Sequence, residues 1–355
     1  MKITFVEPGA SRHPVGGSLV VFEYANRLSA LGHDVTLVFP VTPRLSDPLR
    51  RRLRLWSRFR RWRKSGEWKP AWFALSPAVK LAWVPSLAER HMPDGDVVIA
   101  TVSEIVEPID RLPARCGRKV YFAQIWRPEL EPQVAKTWPV IVIARAMEEA
   151  AKAAGFDPVY IPNGLDRDSF RVDTPLADRA PRSICLLFNR APHKAFKDAV
   201  AALEIVARRV GPLAITAFGV SERLADVPAW MAYEQLPSRA RLREIYNGAA
   251  IFISPSLNEG WGLPACEAGL CGCALAVTDN QGHREFADPG RTALLSPPGD
   301  PAALADNIVR LIEDAALRER LNAALITTLT PFGWDEATVL MARTLEGALV
   351  AGSAR

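Results

Sequence analysis

The sequence predicts an α/β protein of two domains, each built on a parallel, Rossmann-like sheet. Three observations carry this. At 355 residues the chain exceeds the length at which one hydrophobic core usually divides. Short apolar runs rich in β-branched residues alternate with amphipathic, helix-period segments, the pattern of strand–helix–strand units. This alternation also restarts near residue 183, after the turn signal Ile161-Pro162-Asn163-Gly164.

In the first half, Ile3–Val6 and Val35–Phe39 read as strands. Between them lies a loop ending in Gly16-Gly17 and a helix carrying Leu19, Phe22, Ala25, Leu28 and Leu31, with Ser18 expected as its N-cap and Gly32 closing it. Glycines at the helix start of a β-loop-α-β unit suit the seating of a phosphate or a sugar, although no dinucleotide fingerprint is present. Asp96–Thr101, Lys119–Ala123 and Val140–Ile143 are further strands, and the alanine-rich Ala144–Ala154 is a helix ending at Gly155.

In the second half, Ser183–Phe188 is a strand and Asp198–Val210 an amphipathic helix. The loop between them carries Arg190, His193, Lys194 and Lys197, cations placed where open α/β sheets bind anionic ligands. Ala214–Phe218 is a strand and Arg239–Asn247 a helix. The apolar run ending at Ser254 is a buried strand, and it leads into Asn258-Glu259-Gly260-Trp261-Gly262-Leu263-Pro264-Ala265-Cys266-Glu267-Ala268. Gly260 and Gly262 permit close backbone approach to a ligand, and Pro264 suits the first turn of a helix. Strands at Ala274–Val277 and Ala293–Leu295 and helices at Pro301–Asp314 and Asp335–Leu349 complete the chain.

Charged and apolar fractions are those of a soluble globular protein, with a net charge of +5. No run is long enough to span a bilayer, and Met1–Glu7 reads as a strand rather than a signal peptide, so a cytoplasmic location is expected. Five cysteines argue against a disulfide framework. Cys266, Cys271 and Cys273 match no zinc spacing, so they are expected to pack as small hydrophobes.

Between Arg50 and Lys64, nine of fifteen residues are Arg or Lys, interleaved with Leu53, Leu55, Trp56, Phe59 and Trp62. Three readings stay open: a helix lying on an anionic membrane surface, a basic lip for an anionic acceptor, or a solvated insertion. No nucleic-acid module accompanies the patch, so nucleic acid is not an expected partner.

Two glutamates, Glu259 and Glu267, within a Gly-x-Gly-Leu-Pro frame form a specific pattern. They are followed by Cys271-Gly272, Asp279, Glu285 and the run from Leu295 to Ala305. Together with Gly16-Gly17, Ile161–Gly164, Ser254-Pro255-Ser256 and the Trp334 helix, this resembles the GT-B retaining glycosyltransferases of glycosyltransferase family 4 (glycosyl transferases group 1). The resemblance implies two Rossmann-like domains with parallel sheets facing a central cleft. Residues 1–163 with the crossover helix 334–355 would form the acceptor side, and 164–333 would bind a nucleotide-sugar donor.

Carried over by this resemblance, Arg190 and Lys194 hold the donor diphosphate, with Lys197 nearby. Glu259 faces the donor sugar, and the backbone from Gly260 through Trp261 and Gly262 to Leu263 holds sugar and diphosphate. Glu267 accepts from ribose hydroxyls, and Gly16 and Gly17 close the site. No metal and no cofactor are implied, since the nucleotide diphosphate sugar is a substrate. The acceptor would be a saccharide or lipid-linked molecule. Two features depart from the pattern: Asn189-Arg190 replaces Gly-Arg, and the usual histidine after the Tyr121–Ala123 strand is replaced by Gln124-Ile125-Trp126-Arg127, leaving Gln124, Arg127 or His13 to serve. A non-catalytic membrane-docking protein and a sugar-nucleotide epimerase or hydrolase are the alternatives.

Overall fold

The computed structural model describes residues 1–42, 49–126, 134–223 and 226–353. Arg127 therefore lies outside the described residues, as do the side chains of Arg50, Arg51, Arg52, Leu53 and Arg58. The chain divides into two compact units, residues 1–164 with 335–355 and residues 165–334.

The first unit has seven parallel strands: β1 (Lys2–Val6), β2 (Asp34–Thr42), β3 (Lys80–Ser86), β4 (Val97–Ala100), β5 (Arg118–Ala123), β6 (Val140–Val142) and β7 (Pro158–Tyr160). Their order is β3-β2-β1-β4-β5-β6-β7. Strand order reverses between β1 and β4, which pair in register Ile3↔Val97. Helix α1 runs Gly16–Ala30, so its cap position lies three residues before the expected Ser18. Val15 is the extended residue before it, and Ser18 sits inside the first turn. The reason is a buried partner: the Ser18 hydroxyl donates to Glu7 Oε2 at 2.6 Å instead of capping the backbone. At the other end, Gly32 at φ +87° lets its own N–H and that of His33 reach the Ser29 and Leu28 carbonyls, closing α1 as expected.

Burial pushes the Glu7 carboxyl up to about 7, against the bonds from Ser18 and Thr101. The native state thus holds a proton that the unfolded chain has lost, and stability falls as pH rises from the ordinary glutamate range to about 7. Glu7→Gln is expected to raise stability at pH 8 by up to about 3 kcal/mol and to leave it unchanged near pH 4, checked by urea midpoints at both pH values.

β3 escaped sequence reading because Pro85 interrupts it. Proline is tolerated there because β3 is an edge strand. Beside it, α2 (Leu49–Ser65) buries Phe59 and Trp62. Their rings lie 5.0 and 5.8 Å from that of Trp83, and Trp68 stacks on the same ring at 5.6 Å. The inner aromatic face of the basic helix is therefore committed to the sheet and is not available to a bilayer. Trp56, at 45% exposure, stays outside with the exposed Arg54, Arg60, Arg61, Arg63 and Lys64. Two shorter elements complete this half, α3 (Val106–Asp110) and α4 (Arg145–Ala153).

The second unit has six parallel strands: β8 (Ser183–Leu187), β9 (Ala214–Gly219), β10 (Ala232–Gln235), β11 (Ile251–Ser254), β12 (Ala274–Thr278) and β13 (Leu294–Ser296). They are ordered β10-β9-β8-β11-β12-β13. Helices α5 (Phe196–Val210), α6 (Arg239–Gly248), α7 (Leu263–Leu270), α8 (Pro301–Glu313) and α9 (Ala315–Leu329) accompany them. The core joins Ile184, Leu186, Ile251, Ile253, Ala274 and Ala276 from the strands to Leu203, Val206, Leu304, Ile308 and Leu321 from the helices. Near-continuous apolar strands are what a sheet covered on both faces requires. The Leu165 N–H donates to the Phe332 carbonyl at 2.9 Å and ties the two ends of this unit together. The closing helix α10 (Trp334–Ser353) belongs, from Asp335 onward, to the first unit, where Arg27 holds Asp335 at 2.9 Å.

Both sheets match the expected α/β class and its two Rossmann-like halves. The cysteines are free and buried. Cys273 Sγ donates to the Tyr246 carbonyl at 3.1 Å, beside the buried Arg179, whose guanidinium donates to the Tyr246 and Ala249 carbonyls at 3.0 and 2.8 Å.

Candidate functional site

In the second unit the strand order reverses between β8 and β11, paired Ile184↔Ile251. Loops that leave the carboxyl ends of two strands at such a point diverge in opposite directions and open a crevice. The β8 loop carries Lys194 and the β11 loop carries Glu259, so residues 65 apart in sequence are brought together by topology.

The β8 loop is built to hold its cation. The Asn189 side-chain oxygen accepts the Ala191 N–H at 2.9 Å, Pro192–Lys194 forms a single 3-10 turn, and Ala195 ends it in the left-handed region at φ +47°. The two loops are joined through the Leu257 N–H, which donates to the His193 carbonyl at 2.7 Å. Lys194 Nζ then donates to both Glu259 carboxylate oxygens at 2.7 Å. Their side chains are only 19% and 13% exposed, so the pair is poorly screened. Burial opposes ionisation of Glu259, but the charge and hydrogen bonds of the Lys194 ammonium overcome it and hold the carboxyl below its ordinary range.

The β11 loop is fixed from the far side by the end of β12. Asn280 and Thr278 both donate to the Ser256 carbonyl, at 3.0 and 2.5 Å. Gly282 approaches the loop so closely that a Cβ there would lie 2.6 Å from the Glu259 carbonyl oxygen. Gly262 has φ +101°, and a Cβ on it would lie 2.8 Å from Cδ2 of His283. Gly262→Ala is therefore strained in backbone and in packing. A destabilisation of about 2 kcal/mol or more is expected, read as a lower thermal midpoint relative to Gly260→Ala.

Lys194, Ser254, Ser256, Glu259, Gly262 and His283 line one open cleft. Arg190 is exposed on the same β8–α5 connection, and Lys197 is exposed in the first turn of α5. Trp261 points its side chain inward, 3% exposed with its ring 5.1 Å from that of Phe332, so any ligand contact from it comes through the backbone. Leu263 begins α7, with Pro264 in its first turn.

Glu267 lies one helical turn on. The residue keeps some solvent access, but its carboxyl is enclosed, and burial raises it to about 7 against the nearby Arg239. The Tyr246 hydroxyl donates to Glu267 Oε2 at 3.2 Å, and Arg239 holds Asp166 at 2.6 Å alongside.

Gly16 and Gly17 belong to the other unit, at the start of α1. There the side-chain amide of Gln124 lies 3.3 Å from where a Gly17 Cβ would be. His13 is exposed.

His283 is the residue sequence reasoning passed over. A single histidine between Gly282 and Arg284 has no periodicity, and only the pairing of β12 beside β11 shows that it faces Glu259 and Gly262.

Residues 183–314 match the sequence model of the glycosyl transferases group 1 family. The D-inositol 3-phosphate glycosyltransferase of Streptomyces bingchenggensis (strain BCW-1) is 33% identical over 101 residues, 28% of this chain and 22% of that protein. The chain spans about a quarter or less of the length of such relatives. The phosphatidyl-myo-inositol mannosyltransferase of Mycobacterium leprae (strain TN) is 24% identical over an alignment of 386 positions, gaps included, which covers 99% of this chain and 98% of that protein. Among solved structures, sucrose-phosphate synthase from Thermosynechococcus elongatus superposes with a TM-score of 0.72 at 16% identity, over 99% of both chains. Anabaena HepE, solved with UDP and glucose, does so with a TM-score of 0.69 at 16% identity, over 98% of this chain and 100% of that one. At such identities the structural likeness concerns the fold.

Proposed function

We propose that this chain, which belongs through residues 183–314 to the glycosyl transferases group 1 family, moves a sugar from a nucleotide diphosphate sugar to a saccharide or lipid-linked acceptor. The observation that carries the reading is the Lys194–Glu259 pair at the strand-order reversal, a fixed cation and a fixed carboxylate in one cleft. In the reaction the bond between the anomeric carbon and the diphosphate oxygen breaks, and the electron pair leaves with the diphosphate. Lys194, with Arg190 on the same connection and Lys197 in the first turn of α5, stabilises the charge that develops there, in a site prearranged before the reaction begins. The acceptor hydroxyl adds to the face that the diphosphate leaves, and the departing phosphate oxygen takes its proton. Configuration is retained, and neither a metal nor a protein nucleophile enters the proposed scheme. Glu259 accepts from sugar hydroxyls, the 260–263 backbone donates to sugar and diphosphate, and Glu267 accepts from the ribose.

The test begins with thermal-shift measurements against uridine and guanosine diphosphates and their hexose conjugates, because a ligand that binds only the native state raises its stability. Transfer is then assayed with the donor so found. Arg190→Ala and Glu267→Ala are each expected to lower transfer, and unchanged rates in both would overturn the reading. Donor binding without turnover on a broad acceptor panel would point to a binding protein, and release of free sugar at full rate without acceptor to a hydrolase.

The exposed Arg54, Arg60, Arg61, Arg63 and Lys64 of α2 form a basic surface suited to an anionic membrane or an anionic acceptor. With the inner aromatic face of α2 buried against Trp83, binding would rest on charge rather than insertion. Liposomes containing anionic lipid are expected to pellet the protein at low salt and release it at high salt; equal pelleting with neutral liposomes, or none with either, would exclude membrane docking. No described helix is long and apolar enough to cross a membrane.

A further inference from the structure

His283 is completely buried, yet its Nε2 has no hydrogen-bond partner. Buried polar atoms are nearly always satisfied, so an unsatisfied one beside a ligand cleft needs a physical reason. The other ring nitrogen defines the chemistry. Nδ1 lies 2.8 Å from the Thr278 carbonyl oxygen, which can only accept, so Nδ1 carries the proton; the Asn280 amide nitrogen, 3.0 Å from Nδ1, directs its two protons to the Ser256 carbonyl and the Thr278 hydroxyl at 3.0 and 3.2 Å. Burial keeps the ring below the ordinary histidine range, against the pull of Glu259. In this neutral tautomer Nε2 offers a lone pair and no proton. The backbone N–H of His283 donates to the Asn280 side-chain oxygen at 3.1 Å, and the ring lies against Phe286 at 6.0 Å between centroids, so its orientation is fixed. The edge bearing Cδ2 and Nε2 faces Gly262, whose missing Cβ would come within 2.8 and 3.2 Å of those two atoms.

We infer that His283 is a specificity-determining residue of the donor site, whose Nε2 accepts a hydrogen bond from a hydroxyl of the transferred sugar. This rests on the donor reading given above. The class of ligand group follows from donor and acceptor counting. Phosphate oxygens are acceptors at neutral pH and find no proton on Nε2, so the diphosphate belongs to Lys194. A hydroxyl has the proton that Nε2 lacks and can in turn accept from a backbone N–H of the 260–263 loop. A sugar without a hydroxyl at that position leaves Nε2 as unsatisfied as it is without ligand, which penalises deoxy sugars and not the nucleotide.

Binding of the nucleoside diphosphate and of its sugar conjugate to the full chain separates the two contributions, using UDP with UDP-glucose and GDP with GDP-mannose as probes. In His283→Asn the amide replaces Nδ1 and leaves nothing at Nε2. In His283→Gln a carbonyl oxygen reaches toward the Nε2 position. Expected are unchanged nucleoside diphosphate affinity in both variants, a roughly tenfold loss of nucleotide-sugar affinity in His283→Asn, and recovery of most of it in His283→Gln. With monodeoxy analogues, the one that costs the wild type about tenfold is expected to show no further loss in His283→Asn. Equal weakening of both ligands, which would mean the ring only shapes the loop, overturns the inference, and so does a His283→Asn variant that binds the sugar conjugate as well as the wild type. If the wild type binds neither ligand pair, the donor reading itself fails; binding by the wild type with no sugar-specific loss defeats only the role of His283.

Discussion

Lys194→Ala is expected to lower sugar transfer on the order of 10²–10³-fold, the usual consequence of removing one prearranged charge-stabilising group from an active site. Two effects of this substitution must be separated. The ammonium is lost from the leaving diphosphate, and Glu259 loses the partner that keeps its buried carboxyl ionised. The double variant Lys194→Ala/Glu259→Gln distinguishes them. If Lys194 serves only to neutralise Glu259, the double variant transfers as fast as Glu259→Gln alone. If it stabilises the leaving group, the double variant is slower than Glu259→Gln alone by a similar factor, which is the expected outcome. Nucleoside diphosphate binding measured on the same proteins should fall with Lys194→Ala alone and in the double variant. Retention of full affinity in both would remove Lys194 from the diphosphate.

Nucleotide-sugar affinity is expected to weaken about thirtyfold between pH 8 and pH 5.5, through Glu267. Burial raises this carboxyl to about 7, so below that pH the free site is mostly protonated. A protonated carboxyl has lost part of the acceptor capacity that two ribose hydroxyls would use. Donor binding selects the ionised form and releases a proton, hence weaker binding as pH falls through the carboxyl's range. The groups facing Glu267 do not produce the same profile: burial raises the Tyr246 hydroxyl well above the neutral range, and Asp166 is held below its ordinary range. The sugar conjugate, rather than the free diphosphate, is the ligand to use, because its phosphates carry no terminal ionisation near neutrality. In Glu267→Gln the pH dependence should disappear and the affinity at pH 8 should drop. A flat wild-type profile would mean that the carboxyl does not contact the nucleotide.

The departures from the sequence reading share one cause. The residues that local pattern could assign, such as Gly32 ending α1, fulfil roles settled within a turn or two of chain. Ser18 had the right chemistry for a cap, but a buried carboxylate eleven residues upstream is a stronger partner than a helix-end N–H, and the helix began earlier. The basic segment showed the composition of a surface helix, while the aromatic receptor for its inner face, Trp83, lies on a strand that Pro85 hid from the reading.

The sequence by itself determined the α/β class, the restart of the alternation in the second half, and the loop frame from Glu259 to Glu267, because periodicity, glycine and proline placement and helix entry are local. Only the tertiary structure decided that β8 and β11 lie side by side where the strand order turns, which brings Lys194 against Glu259. It also decided that the end of β12 carries His283 into the same cleft with one nitrogen satisfied and the other open. Strand order is set by which apolar faces pack together across the whole core, so no stretch of sequence around residue 283 records it.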